Sequence, residues 1–181
     1  PDEPHSLSDN TVMTMMEDEA GNFWIGTFAG GLNLFDRETE QFTSYQHDAN
    51  DSHSLSHQTI EFIYQDRSGQ IWITTGGGGI NKFDAETEQF IRYQNDPQNP
   101  TSLSADHVYL VHEDEAGAFW FPTYRGGVSK FAPEEKKFTH YRHDPDDINS
   151  LSDNDVRSIY EDQAGVRWIG TWGQGLNKFD R

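Results

Sequence analysis

Phe23-Trp24-Ile25-Gly26-Thr27 is an apolar run of five residues, preceded by Asp18-Glu19-Ala20-Gly21 and followed by Gly30-Gly31. Asp at the first and Gly at the last position of the preceding tetrapeptide is the signature of a type I turn, and a short apolar run between turn signals reads as a buried strand. Its tryptophan returns as Trp72, Trp120 and Trp168, each 48 residues further on. Leu7, Leu55, Leu103 and Leu151 keep the same interval, as do Gly21, Gly69, Gly117 and Gly165, and Phe35, Phe83, Phe131 and Phe179. Nothing is inserted or deleted between copies, so one supersecondary unit is repeated in tandem over residues 1–48, 49–96, 97–144 and 145–181.

The rest of the unit follows from the same punctuation. Thr11 to Glu17 is rich in apolar and β-branched residues and predicts a first strand; Leu32 to Phe35 predicts a third. After the turn Asp36-Arg37-Glu38-Thr39, Gln41 to Tyr45 predicts a fourth, and a polar loop from Gln46 leads into the next copy. No stretch carries helical spacing of apolar residues. Four antiparallel strands per unit of 40 to 50 residues, with one tryptophan each, predict an all-β chain and a β-propeller of four blades. Both faces of a blade pack on neighbours, which accounts for the poor alternation of apolar and polar residues. The fourth unit stops before its fourth strand, so the last blade is expected to lack its outer strand. That leaves three arrangements: a small four-bladed ring, an arc of a larger ring, or two chains completing eight blades. Open blade faces and an unpaired edge favour self-association.

Composition narrows the function. With 31 acidic against 13 basic side chains the net charge is −18, which repels nucleic acid and anionic membrane surfaces. The absence of cysteine removes thiolate catalysis, disulfides and cysteine metal sites. No apolar run is long enough to span a bilayer, none reads as a signal peptide, and a start at Pro1 is expected of a piece excised from something longer.

Ser6-Leu7-Ser8, Val12, Met15, Glu17-Asp18, Gly21, Trp24 to Thr27, Gly30-Gly31-Leu32, Phe35-Asp36, Thr39, Phe42, Tyr45 and Asp48 together resemble the two-component regulator propeller repeat. The resemblance covers essentially the whole chain. It implies a periplasmic or extracellular sensor domain of a bacterial signalling protein, of a kind that often recognises polysaccharide fragments, without catalysis and without a cofactor. The aromatic positions of the pattern fill the space between blades, and Asp18, Asp66, Asp114 and Asp162 are expected to hold turns, so all of these serve stability.

Candidate binding residues are therefore sought where the copies disagree. After the Gly-Thr of the second strand, or its counterpart, come Phe28-Ala29, Gly76-Gly77, Tyr124-Arg125 and Trp172-Gly173. In a propeller these turns emerge on one face, so Phe28, Tyr124, Arg125 and Trp172 are the expected ligand-binding residues, with aromatic rings stacking on sugars and Arg125 reaching a carboxylate or hydroxyl. The competing reading is that these rings cover the seam between blades. The histidines near the loops, such as His47-Asp48 and His143-Asp144, lack the spacing of a zinc site and read as loop hydrogen-bonding groups. The acidic loop Asp144-Pro145-Asp146-Asp147 lacks the calcium-binding series, and Gly76 to Gly79 is followed by neither a Lys-Ser/Thr pair nor a helix, so it reads as a hairpin. His112 and Glu113 point to opposite faces of a strand and cannot act as a dyad. Streptogramin lyases, propellers similar to this repeat, combine histidine, glutamate and magnesium, but no isolated pair of that kind stands out here. The expected partner is an oligosaccharide, with a scaffold for protein association as the alternative.

Overall fold

The computed structural model describes residues 5–180, and it contains strands and turns but no helix among them. The chain divides into two compact units, one reaching to Tyr93 and the other starting at Gln94.

The first unit holds two four-stranded antiparallel sheets. Strands β1 (Val12–Glu17), β2 (Phe23–Thr27), β3 (Leu32–Asp36) and β4 (Gln41–Tyr45) pair in chain order, and β5 (Ile60–Gln65), β6 (Ile71–Thr75), β7 (Ile80–Asp84) and β8 (Gln89–Tyr93) repeat the arrangement. The two sheets meet through Trp24, whose ring lies 5.1 Å from Phe83 and packs with Leu32, Leu55, Ile60, Ile63 and Ile73. All five residues of β6 are buried, as expected of a strand covered on both faces. Each large apolar side chain so buried contributes about 1.5–3 kcal/mol.

The second unit holds β9 (His112–Glu113), β10 (Phe119–Thr123), β11 (Gly127–Ala132) and β12 (Lys137–Tyr141), then a three-stranded sheet of β13 (Val156–Glu161), β14 (Arg167–Thr171) and β15 (Leu176–Phe179). Among the described residues β15 has no strand on its outer side, as the early stop of the last copy predicts. Trp120, Val128, Leu151, Val156, Ile159 and Ile169 form the core between these sheets.

Strand β9 is shorter than its counterparts, and Pro122 explains it. Thr14, Phe62 and Ser158 of the other first strands pair with Gly26, Thr74 and Gly170. The corresponding partner of Leu110 is Pro122, which has no N–H to give the ladder. Pairing is reduced to a bridge between Val108 and Thr123 and a hydrogen bond from the Tyr109 N–H to the Pro122 carbonyl at 3.1 Å, and the ladder resumes at His112.

The aspartate turns bear out their structural assignment. The carboxylate of Asp66 accepts the N–H groups of Ser68 and Gln70 through Oδ1, at 2.9 and 3.0 Å, and Nε1 of Trp72 through Oδ2 at 2.8 Å. Asp18, Asp114 and Asp162 repeat the pattern with Trp24, Trp120 and Trp168. In Asp18, Asp66 and Asp114 burial works to raise the pKa, but the donated hydrogen bonds together outweigh it; in Asp162 the bond from Trp168 leads. All four are held below the usual carboxylate value. A folded-state pKa below the unfolded one gives stability that is present above the unfolded value, about 4, and lost as pH falls through the folded values. Thermal melts followed by circular dichroism should therefore show a melting temperature that drops steeply below about pH 4. Asp66→Asn should lower it at neutral pH and flatten the acid limb; an unchanged limb would show that this turn does not set it.

Loop histidines do the hydrogen bonding expected of them. Nδ1 of His47 and of His143 lie 2.8 and 2.7 Å from the carbonyls of Leu55 and Leu151. At the same place in the second copy, Asn95 Nδ2 donates to Leu103 at 2.7 Å. Gly76 to Gly79 closes the β6–β7 hairpin, with Thr75 Oγ1 donating to the Gly79 carbonyl.

Candidate functional site

Tyr124 and Arg125 sit in the β10–β11 turn, and Trp172 in the β14–β15 turn, both in the second unit. The backbone fastens each turn to the segment that enters its sheet: Tyr124 N–H donates to the His107 carbonyl at 3.0 Å, and Trp172 N–H to that of Asp155 at 2.8 Å. Gly127 ends the first of these turns with a φ of 75°, and a Cβ there would collide with the Tyr141 carbonyl oxygen, so only glycine fits.

A bulge brings in side chains that the turns alone would not supply. In three of the sheets the register slips by one residue near the start of the first strand, between Val12 and Thr14, Ile60 and Phe62, and Val156 and Ser158. Bulges re-aim side chains. The residues at this phase are Met13, Glu61, Tyr109 and Arg157, the third lying where Pro122 has broken the ladder.

The result is a continuous stack. The Arg125 guanidinium lies 4.9 Å from the Tyr124 ring centre, and the Tyr124 ring lies 5.7 Å from His107, which is 4.6 Å from Tyr109. Arg157 is sandwiched between Tyr109 at 4.2 Å and Trp172 at 4.7 Å. Its charge is matched by Asp155, with Nε 3.0 Å from Oδ1 and Nη2 3.2 Å from Oδ2, and the Tyr109 hydroxyl donates to the same Oδ1 at 3.4 Å. Trp172 is 68% exposed and Tyr124 37% exposed, so the stack presents ring surface to solvent while its interior is pinned. Beside it, burial pushes the Asp106 carboxyl above its ordinary value even though Oδ1 accepts the Asn95 N–H.

Three of the four expected residues, Tyr124, Arg125 and Trp172, are thus linked through one set of contacts. Phe28 is 55% exposed in the equivalent turn of the first unit and makes no ring contact among the described residues. The sequence reading missed His107, Tyr109, Asp155 and Arg157. Their signal was the same one: at their phases the copies read Thr11, Thr59, His107, Asp155 and Met13, Glu61, Tyr109, Arg157, a disagreement as strong as that of the turns. The described residues include no group of histidines and carboxylates that could hold a metal ion.

His112 turns away from Glu113 chemistry altogether: its Nε2 lies 3.2 Å from Glu161 Oε2 on the neighbouring sheet. The same glutamate meets Arg167 at 3.2 Å, and Arg167 Nη2 is 2.9 Å from Asp114 Oδ2. This ionic cluster lies at the Asp114-turn end of the sheets and is 1% exposed at Arg167.

Four-stranded antiparallel sheets laid down in chain order, copy after copy, are β-propeller blades. Residues 6–29, 54–77 and 150–173 match the two component regulator propeller family, and these segments are repeats of that family. The corresponding stretch of the third copy, which carries Pro122 and Arg125, is not among the matched segments. The extracellular domain of a putative hybrid two component system from B. thetaiotaomicron is similar at 28% identity and a TM-score of 0.81, over 99% of this chain and 23% of that one. A second such domain from the same organism is similar at 27% identity and a TM-score of 0.78, over 94% of this chain and 24% of that one. The chain therefore spans about a quarter of the length of these domains. The WD40 β-propeller domain of Doa1 shares the fold at 14% identity, with a TM-score of 0.62 over 97% of this chain and 51% of that one. No curated protein matches the chain. No helix among the described residues is long and apolar enough to cross a membrane.

Proposed function

We propose that the chain is a ligand-sensing segment of an extracellular or periplasmic sensor propeller and that it binds an oligosaccharide, without catalysis, on the surface formed by Tyr124, Arg125 and Trp172. The observation that carries this reading is the state of Trp172: one face of the indole is held by Arg157 at 4.7 Å while the side chain remains 68% exposed. A rigid ring with an open face suits stacking on the apolar face of a sugar, because little conformational freedom is lost on binding. The similar B. thetaiotaomicron domains, being extracellular parts of putative hybrid two component systems, support a sensing role.

Calorimetry against a panel of oligosaccharides tests this. One or more members should bind with defined stoichiometry, and Trp172→Ala and Tyr124→Ala should each weaken binding at least tenfold, the scale of an anchoring aromatic in an interface, while the melting temperature stays near wild type. A large melting drop with binding retained would assign the rings to packing instead.

Association is a second reading, favoured by Leu176 and Tyr160, which are 63% and 64% exposed on the three-stranded sheet. Sedimentation velocity separates it: concentration-dependent dimers abolished by Leu176→Ser would support it, and a strict monomer at high concentration would exclude it.

A further inference from the structure

We infer that the oligosaccharide bound at this surface is an acidic one, held through a carboxylate or sulfate group by Arg125 and Arg142; the inference rests on the oligosaccharide reading above and names its ligand class. Three observations lead there. The first is charge matching. Arg157, inside the stack, is paired with Asp155 on two nitrogens, whereas Arg125 and Arg142 make no ion pair among the described residues. In a chain with 31 acidic and 13 basic side chains, these two arginines thus keep charge that no ion pair among the described residues offsets. Both belong to the end of the third blade: Arg125 lies on the Tyr124 ring, and Arg142 Nε approaches the Gly126 carbonyl at 3.4 Å.

The second is backbone conformation. Arg125 has a φ of 60°, a left-handed conformation that disfavours any residue with a Cβ. Among the copies Ala29, Gly77, Arg125 and Gly173, only Arg125 and Gly173 take a positive φ. A glycine would meet the backbone requirement at less cost, so the arginine is there for its guanidinium.

The third is position. Arg142 replaces Gln46 and Gln94, and Arg125 replaces Ala29 and Gly77, so the charge is specific to the copy that supplies His107, Tyr109 and Tyr124 to the stack. The net charge of −18 does not oppose a small anion here. Exposed charges farther away than about 8 Å are largely screened at physiological salt, so the nearby guanidiniums decide. A guanidinium offers paired N–H donors that match the oxygens of a carboxylate or sulfate, and the ring beneath Arg125 narrows the orientations it samples.

Titration calorimetry with a galacturonic acid hexamer, its methyl-esterified neutral form, a chondroitin sulfate tetrasaccharide and a neutral cello-oligosaccharide tests the proposal. At least one acidic probe should bind, weaken with added salt, and lose about tenfold or more of its affinity in Arg125→Gln, with a further loss in Arg125→Gln/Arg142→Gln. Glutamine keeps a polar, unbranched side chain and removes the charge, and thermal melts of each variant check that the fold is retained. The hexamer and the tetrasaccharide separate a carboxylate from a sulfate ligand. Neutral probes binding as tightly as the acidic ones, with no dependence on salt or on Arg125, would overturn the acidic class and leave the oligosaccharide reading standing. No heat from any probe would overturn both.

Discussion

Arg167→Ala is expected to lower the unfolding free energy by about 3–5 kcal/mol, the scale found when one member of a buried ion pair is removed. Against a total of roughly 5–15 kcal/mol this is enough to leave a large unfolded fraction near body temperature. The other copies place Phe23, Ile71 and Phe119 at this phase, so the seam of the first unit is apolar where that of the second is ionic. Arg167 lies 4.5 Å from the Trp120 ring centre and pairs with Asp114 and Glu161 through Nη2 alone, while Nε and Nη1 are buried without a hydrogen-bond partner among the described residues. Desolvating so incompletely paired a cation is costly. Removing it alone is worse, because Glu161 then keeps only His112. Asp114 remains satisfied by Trp120, Ala116 and Ala118, as its counterparts are. The double change Arg167→Ile/Glu161→Gln installs the residues that the second copy carries as Ile71 and Gln65. Chemical denaturation should find the double variant as stable as wild type or more so. A loss under about 1 kcal/mol for Arg167→Ala would show that the seam is open to water, because exposed pairs contribute no more than that.

Trp120→Ala should cost a comparable amount, about 3–5 kcal/mol, since it empties the centre of the same seam. Its ring is 1% exposed, stacked on Tyr141 at 5.3 Å and edge-on to Phe179 at 5.5 Å. Trp168 occupies the same phase and makes the same bond to its aspartate, at 2.9 Å, yet it is only partly buried, so Trp168→Ala should cost distinctly less. Equal losses in urea denaturation would mean that the aspartate bond, not ring burial, carries the tryptophan's contribution. Trp120 and Arg167 touch, so their losses should not add.

The 48-residue interval made the blades legible because every copy solves the same packing problem with the same residues: Trp24 and its copies, the aspartate turns, and the glycines that close the hairpins. What it concealed were effects that arise only when copies touch. Arg167 stands out from Phe23, Ile71 and Phe119 on inspection, but its partner Asp114 lies 53 residues away across the seam, and no local pattern connects them. The shortening of β9 had a visible cause in Pro122, whose consequence depends on which residue it faces in the ladder. The site was half legible. Tyr124, Arg125 and Trp172 were marked by disagreement in the turns, whereas Arg157 reaches the same surface through a strand bulge and Tyr109 through the ladder break at Pro122. Phe28 carried the same mark as Trp172 and lies in the other unit.

Tryptophan indole resonances offer the most direct test of a binding surface centred on Trp172. Four of the five tryptophans donate Nε1–H to an aspartate within the blades, and Trp172 is exposed in its turn. In a two-dimensional proton–nitrogen spectrum, titration with the galacturonic acid hexamer should move the Trp172 indole signal progressively and leave the signals of Trp24, Trp72, Trp120 and Trp168 in place. Saturable binding with a stationary Trp172 signal would contradict the proposed site.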